Sequence, residues 1–171
     1  MNKKIIVLMI ILFVGIGLIF STKYQQNLNT EKSYQTIEIS GNSMFPLLEN
    51  GDKIKYLTGY YKENNPKTGD IIDYNYAGKY SYIKQIKATD KDNIEIKGNN
   101  LYINGKLMKN SNGEIYTFSN NEINVLSLYI KDGKIPQDSY LIFGDNIGNS
   151  TDSRKFGAVS KKDIMGKFFI E

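Results

Sequence analysis

The sequence contains no histidine and no cysteine among its 171 residues. The missing histidine removes the usual base of a serine nucleophile, and the missing cysteine removes disulfide bonds and thiolate metal sites. Without either residue type, we expect no zinc or copper site built from protein ligands. Any chemistry therefore depends on Ser, Lys, Asp, Glu, Tyr and the backbone, and we predict no metal and no cofactor.

A large excess of one charge is also missing. Lysine and arginine total 22 against 18 acidic residues, a net charge of +4 that falls to +2 when Lys3 and Lys4 are assigned to a separate amino-terminal end. Such a balance is too small and too dispersed to argue for a nucleic-acid partner, and it is compatible with a modest attraction to anionic lipid headgroups. The hydrophobic content of 40% and the aromatic content of 12% predict one sizeable ordered domain.

A long apolar run lies near the amino terminus. Residues 5–20 are apolar, and Ser21 and Thr22 extend the uncharged run before Lys23. We predict a transmembrane anchor at residues 5–22, which is just long enough to cross a bilayer. The alternatives are a cleaved secretory signal, which needs an A-x-A-like site, and a buried soluble helix, which usually has a polar face. No alanine precedes Ala77 and the run has no polar face, so both alternatives fit less well.

The charges that flank this run predict its orientation. Lys3 and Lys4 precede the run, and short basic ends stay in the cytoplasm, so we predict a cytoplasmic end at residues 1–4. Residues 23–34 are polar and predict a linker, and residues 35–171 predict an extracytoplasmic domain. The predicted location is the cell membrane, with a single pass and with membrane lipid as a contact.

The remaining sequence alternates between short apolar-polar runs and turn residues, which is typical of a mainly β domain. Asn104 and Gly105 form the strongest hairpin signal. Ser160 and Asp163 have the spacing of a capping box for a short helical turn, and residues 120–128 are a second helical candidate. The predicted strands are residues 36–39, 53–57, 70–76, 80–88, 93–97, 100–108, 139–144 and 167–170.

Ser43 lies in a predicted turn, with Gly41 before it and Pro46 after it. Glycine permits a sharp backbone approach and proline fixes the direction of the exit, so we expect the hydroxyl to point outward. An ordinary turn serine fits the same pattern. If Ser43 is a nucleophile, its base must be a lysine, a carboxylate or the amino terminus of the chain.

Lys84 is the lysine whose position in a predicted strand is unusual. With a period of two, it shares an apolar face with Tyr82 and Ile86, whereas Lys87 falls on the polar face, as expected for a surface lysine. Lys84 either extends along the sheet to reach water or is removed from water. Removal from water would lower its pKa and make the neutral amine available as a base.

A polar loop follows the predicted strand at residues 139–144. On composition alone it is a surface turn in which Asp152 and Arg154 form an ion pair. Alternatively, a hydroxyl such as that of Ser150 could orient a neutral lysine amine without charging it.

These three segments resemble the sequence boxes of the type I signal peptidase family, of the small single-anchor kind typical of Gram-positive bacteria. Residues 40–48 resemble the nucleophile box, residues 82–86 the lysine box and residues 144–154 the Gly-Asp-Asn box. Shorter likenesses lie at residues 51–52, 69–72, 99–107 and 166–169. The resemblance spans nearly all of the chain, in the family's order and after the predicted anchor.

The resemblance implies a role for each matching residue. Ser43 would be the nucleophile and Lys84 the general base, while the Ser150 hydroxyl would orient the lysine amine and Asp152 would support the loop. The backbone N–H of Ser43 would contribute to the oxyanion hole. The supporting positions implied in the nucleophile box are Gly41 and Met44.

The resemblance also implies a fold and a function. The expected fold is a signal-peptidase-like β-sheet or barrel domain behind one transmembrane helix. The expected protein is a monomeric, membrane-bound serine endopeptidase that removes signal peptides from exported preproteins and binds no nucleic acid. The alternative is a non-catalytic membrane module of the same fold that assists export or pilus assembly. A self-cleaving repressor would need a DNA-binding head in place of the apolar run.

Several positions depart from the family pattern. Gly41 stands where some members carry a serine that completes the oxyanion hole, so the second donor is unidentified. Gln85 and Ile147 replace usual arginines, Leu47 replaces a usual threonine, and the segment after Ile86 lacks the Gly-x-Pro-Gly-Asp turn. We therefore expect an altered specificity or a lowered rate.

Overall fold

The computed structural model describes residues 34–170, which fold mainly into short antiparallel strands. Two helices interrupt the strands, α1 at Asn120–Tyr129 and α2 at Ser153–Phe156, and 3-10 turns lie at Tyr60–Lys62 and Lys161–Asp163. The strands are β1 Gln35–Glu38, β2 Lys53–Thr58, β3 Ile71–Tyr76, β4 Tyr80–Thr89, β5 Ile94–Lys97, β6 Asn100–Ile103, β7 Lys106–Leu107, β8 Ser139–Phe143, β9 Val159–Ser160 and β10 Ile164–Phe169.

The strands form two sheets. The larger sheet has the order β1-β2-β10-β3-β4-β8-β9, and the smaller has the order β5-β6-β7. The last strand, β10, lies between β2 and β3, so it joins the β1–β2 pair to the β3–β4 hairpin. The predicted mainly β fold is confirmed.

Two local predictions are confirmed and one is corrected. Asn104 and Gly105 both have positive φ, 51° and 75°, and they join β6 to β7 in the predicted hairpin. The helical candidate at residues 120–128 is α1, and its capping box uses Ser119 rather than a pair predicted from the sequence. A 3-10 turn does follow Ser160, but the Ser160 side chain makes no capping hydrogen bond.

The polar-face prediction for Lys87 is wrong because β4 contains a β-bulge. Ile86 pairs with Ile142 of β8 and Ala88 pairs with Leu141, so Lys87 is an extra residue between two pairs. The bulge interrupts the alternation of the strand. The Lys87 side chain is 13% exposed rather than solvated.

The apolar side chains form three buried clusters. The largest lies between the smaller sheet, α1 and the bulged end of β4, and the second lies against the centre of the larger sheet. The third cluster underlies the turn that carries Ser43, and this turn contributes Met44 and Leu48 to it. The position of the candidate nucleophile is therefore set by core packing on one side of its turn.

The predicted cytoplasmic end, the predicted anchor and nearly all of the predicted linker lie outside the described residues. Within residues 34–170, every helix is too short or too polar to cross a bilayer.

Candidate active site

The turn after β1 places Ser43 beside β4 and the loop that follows β8. Gly41 has a φ of +90°, which glycine adopts without strain, and its N–H donates to Asn50 Oδ1 at 2.9 Å. Met44 is 2% exposed, and its carbonyl accepts the N–H of Leu48 at 2.9 Å. Ser43 itself is half-buried, between the exposed Asn42 and the buried Met44.

Lys84 lies in β4, opposite Ile72 of β3, and is 2% exposed. Its Nζ lies 2.9 Å from Ser43 Oγ and donates to the carbonyl of Ile83 at 2.7 Å. Of the two alternatives for this lysine, removal from water is the one that the structure shows. The structure thus brings together two side chains that lie 41 positions apart in the sequence.

Burial changes the acid-base behaviour of Lys84. Desolvation lowers the pKa of Lys84 to about 8; the negative charge of Asp152 opposes this effect, and the positive charge of Arg154 adds to it. A lysine with this pKa is partly neutral near neutral pH, and a neutral amine 2.9 Å from a hydroxyl can accept its proton.

The loop after β8 is held by an ion pair that is buried rather than on the surface. Asp152 is fully buried, and its carboxylate accepts Arg154 Nη2 at 2.7 Å and Nε at 2.8 Å. The same carboxylate accepts the N–H of Gly144 at 3.0 Å. The predicted pairing is confirmed and its predicted surface location is wrong, because both side chains are buried, with the Tyr116 ring centroid 5.9 Å from the Arg154 guanidinium carbon.

Ser150 lies in this loop, and its hydroxyl is buried. It lines the same cavity as Ser43 and Lys84. Within residues 34–170, the Ser150 Oγ has no hydrogen-bond partner, so the hydrogen bond expected between Ser150 and Lys84 is not formed in this structure.

Two residues outside the predicted set, Asn146 and Gly144, join the loop to the nucleophile turn. Asn146 donates its N–H to the Ser43 carbonyl at 3.1 Å and its Nδ2 to the Asn42 carbonyl at 3.0 Å. Gly144 packs so closely that a Cβ there would lie inside van der Waals distance of the Ser43 carbonyl and 2.6 Å from the Ser150 Cβ. A Gly-Asp-Asn run directly after a predicted strand was the available signal for both.

Two cavities meet at Ser43 and Lys84. One of about 220 Å³ has Ile39, Met44 and Ile83 among its lining side chains. The other, of about 520 Å³, is more polar and is bordered by residues 148–151. The pair could therefore act on a chain that occupies both cavities. The described residues contain no cluster of three acidic side chains placed to hold a metal ion.

A serine hydroxyl beside a desolvated lysine amine, on a mainly β domain, is the arrangement of a serine hydrolase that uses lysine as its base. The comparisons with known proteins give the family. A family model described as "Signal peptidase, peptidase S26" matches residues 3–171, and the chain belongs to this family.

Two named relatives agree with this assignment. The chain is 29% identical over 138 residues to signal peptidase IB of Staphylococcus aureus, covering 75% of this chain and 72% of the relative. It is 33% identical over 135 residues to signal peptidase I P of Bacillus subtilis subsp. natto, covering 75% and 71%. The crystal structure of a signal peptidase I from Enterococcus faecalis is 24% identical, with a TM-score of 0.45, covering 61% of this chain and 97% of that one.

Proposed function

We propose that this protein is a membrane-anchored serine endopeptidase that removes amino-terminal signal peptides from exported preproteins. Membership of the signal peptidase family supports the reaction and the substrate class. The single observation that carries the mechanism is the distance of 2.9 Å between Lys84 Nζ and Ser43 Oγ.

In the first half of the proposed reaction, Ser43 Oγ attacks the scissile carbonyl carbon while the neutral Lys84 amine takes the hydroxyl proton. The ammonium then gives this proton to the leaving amine nitrogen as the carbon–nitrogen bond breaks, which leaves an acyl-enzyme. In the second half, a water molecule attacks the acyl carbon, its proton passes to Lys84, and the proton finally returns to Ser43 as the ester bond breaks.

The surroundings of Lys84 suit this proton exchange. The bond from Nζ to the Ile83 carbonyl at 2.7 Å fixes the direction of the amine. Asp152 and Arg154 lie nearby as a mutually paired carboxylate and guanidinium. Burial is the largest cause of the lowered pKa of Lys84. The charge of Asp152 raises this pKa and the charge of Arg154 lowers it, so the two charges partly cancel. We propose Asp152 as the support of the loop and Ser150 as a hydroxyl that meets the amine once substrate is bound.

The two cavities support an assignment of the two sides of the scissile bond. The smaller cavity, about 220 Å³ with Met44 and Ile83 in its wall, suits a small apolar side chain before the bond. The larger polar cavity suits the first residues of the mature chain. The backbone N–H of Ser43 is the proposed oxyanion donor. Gly41 offers no side-chain hydroxyl, and its φ of +90° would strain any residue that did.

The proposed location rests on the sequence pattern. Residues 1–4 form the cytoplasmic end, residues 5–22 cross the membrane, residues 23–34 link, and residues 35–171 form the extracytoplasmic peptidase domain. This topology puts the active site on the side to which preproteins are exported, and it puts the anchor in contact with membrane lipid. We propose that the enzyme acts as a monomer.

The test is cleavage of a preprotein by the full chain in detergent micelles. The parent and Lys97→Ala, a control at an exposed lysine, are expected to cleave, whereas Ser43→Ala and Lys84→Ala are expected to lose cleavage. Undiminished cleavage by either of the last two variants would contradict the mechanism. No cleavage by the parent would favour the non-catalytic membrane module.

A further inference from the structure

The β-bulge in β4 brings Lys87 into a place that the proposed reaction does not use. Its Nζ donates to the carbonyl of Lys109 at 3.2 Å and lies 3.9 Å from Asp145 Oδ1. The Tyr116 ring lies beneath it, with its centroid 5.6 Å from Nζ. Burial lowers the pKa of Lys87, and the carboxylate of Asp145 opposes that effect. A lysine is seldom buried to this extent without a charged partner.

Asp145 is fully buried, so its carboxylate needs hydrogen-bond donors or a cation inside the protein. Its carboxylate accepts the backbone N–H of Ser111 at 3.0 Å and also the Ser111 hydroxyl. Among residues 34–170, Lys87 is the cationic side chain that comes within 4.0 Å of this carboxylate. A buried carboxylate without a nearby cation is costly in free energy. The Lys87 ammonium offsets the negative charge of Asp145 and so helps to keep this carboxylate buried.

Asp145 is the neighbour in sequence of Asn146, which donates hydrogen bonds to the turn that carries Ser43. Asn146 donates to the carbonyls of Ser43 at 3.1 Å and Asn42 at 3.0 Å. A shift of Asp145 would move both of these donors. Because the contact between Ser43 Oγ and Lys84 Nζ depends on the backbone of Ser43, the shift would reach the reacting atoms.

We propose that Lys87 is a positioning residue for the reaction of Ser43. Its ammonium holds the Asp145 carboxylate, Asp145 sets the place of Asn146, and Asn146 keeps the backbone of Ser43 at the distance that Lys84 requires. Lys87 touches no substrate in this scheme. The effect on rate rests on the proposed function, whereas the effect on the loop does not.

The kinetic test compares Lys87→Met, Lys87→Arg, Asn146→Ala and the double variant with Lys87→Met and Asn146→Ala in the full chain in detergent. The matched control is Lys97→Met, since Lys97 also has a carboxylate and a ring as neighbours but is exposed. We expect Lys87→Met to lower kcat about tenfold with little change in KM, because small displacements of reacting groups cost rate steeply. Lys87→Arg should restore most of the rate, and Lys97→Met should match the parent.

Two further readouts separate positioning from a general loss of stability. The effects of Lys87→Met and Asn146→Ala on kcat should not add, because both act through the same hydrogen bonds. Hydrogen exchange of the backbone amides in residues 144–150 should be faster in Lys87→Met than in the parent. Should Lys87→Met fail to fold, Lys87→Gln replaces it, since it keeps a donor and removes the charge.

The inference is overturned if Lys87→Met keeps the parent's kcat, if its loss adds fully to that of Asn146→Ala, or if exchange in residues 144–150 is unchanged. A parent that does not cleave a preprotein would refute the proposed function instead. The exchange experiment would still decide whether Lys87 holds the loop.

Discussion

The rate of signal peptide cleavage is predicted to rise with pH through a midpoint of about 8. The neutral form of Lys84 is the proposed base, and desolvation lowers its pKa from 10.5 to about 8. The active fraction of the enzyme therefore grows as the pH increases and levels off above the midpoint. Changing the pH perturbs this one proton directly, without any substitution in the site.

The burial of Lys84 sets the size of the effect. A pKa of about 8 instead of 10.5 corresponds to about 3 kcal/mol against the ammonium form. At pH 7 about one lysine in ten is then neutral, compared with about one in three thousand at the ordinary pKa. Burial thus raises the population of the base about 300-fold at pH 7.

The assay measures kcat/KM from pH 6 to about pH 10 with the full chain in micelles and a peptide substrate that has no titrating side chains near the cut. Far-UV circular dichroism at each pH shows that the enzyme stays folded. The matched variant is Asp152→Asn, which removes a negative charge that favours the ammonium form. The midpoint of this variant should lie at a lower pH than that of the parent.

A profile that keeps climbing to about pH 10 would refute the desolvation of Lys84, because that is the behaviour of a solvated lysine. A midpoint that moves upward in Asp152→Asn would refute the proposed electrostatic role of this carboxylate. A rate without any pH dependence between these limits would mean that another group serves as the base.

Three predictions concern stability, each measured as the free energy of unfolding in urea. Lys84→Met should be more stable than the parent by up to about 3 kcal/mol at pH 7 and by under about 1 kcal/mol at pH 10. The reason is that folding lowers the pKa of Lys84 from 10.5 to about 8, so the stability of the parent rises between these two pH values. Gly144→Ala should lose about 1–3 kcal/mol by overpacking. Gly148→Ala should match the parent, because a Cβ there would lie 4.0 Å from Asn146 Oδ1, an ordinary contact distance. Arg154→Met should lose about 3–5 kcal/mol, since it leaves the carboxylate of Asp152 buried and unpaired. An unchanged stability in Gly144→Ala or Arg154→Met would contradict the close packing or the burial of the pair.

The strands were predictable because their signal is local. Alternation and turn residues located most strands to within one or two positions, and the hairpin at Asn104 and Gly105 follows from the positive φ that its turn requires. The short β9 was missed because two residues carry no period. The spacing of Ser160 and Asp163 predicts a capping box, whereas the structure forms one at Ser119. Ser119 precedes a helix of ten residues, and Ser160 precedes a 3-10 turn of only three.

The site was predictable only in part. An apolar face predicted the unusual environment of Lys84. The turn predicted a hydroxyl that points outward, whereas Ser43 is half-buried beside the Lys84 amine. The bulge at Lys87 was not predictable, because strand register depends on a partner strand more than fifty residues away. The roles of Gly144 and Asn146 likewise depend on a close approach between segments about a hundred residues apart.

By itself, the sequence determined the class of the domain, the residue types left for chemistry and the two side chains to consider, since propensity, periodicity and composition are properties of short stretches of chain. Only the tertiary structure decided that Lys84 is buried from solvent, that its amine lies 2.9 Å from Ser43 Oγ, and that Lys87 lies beside Asp145. The physical reason is that desolvation and contact distances arise from packing between segments remote in sequence, which no local pattern specifies.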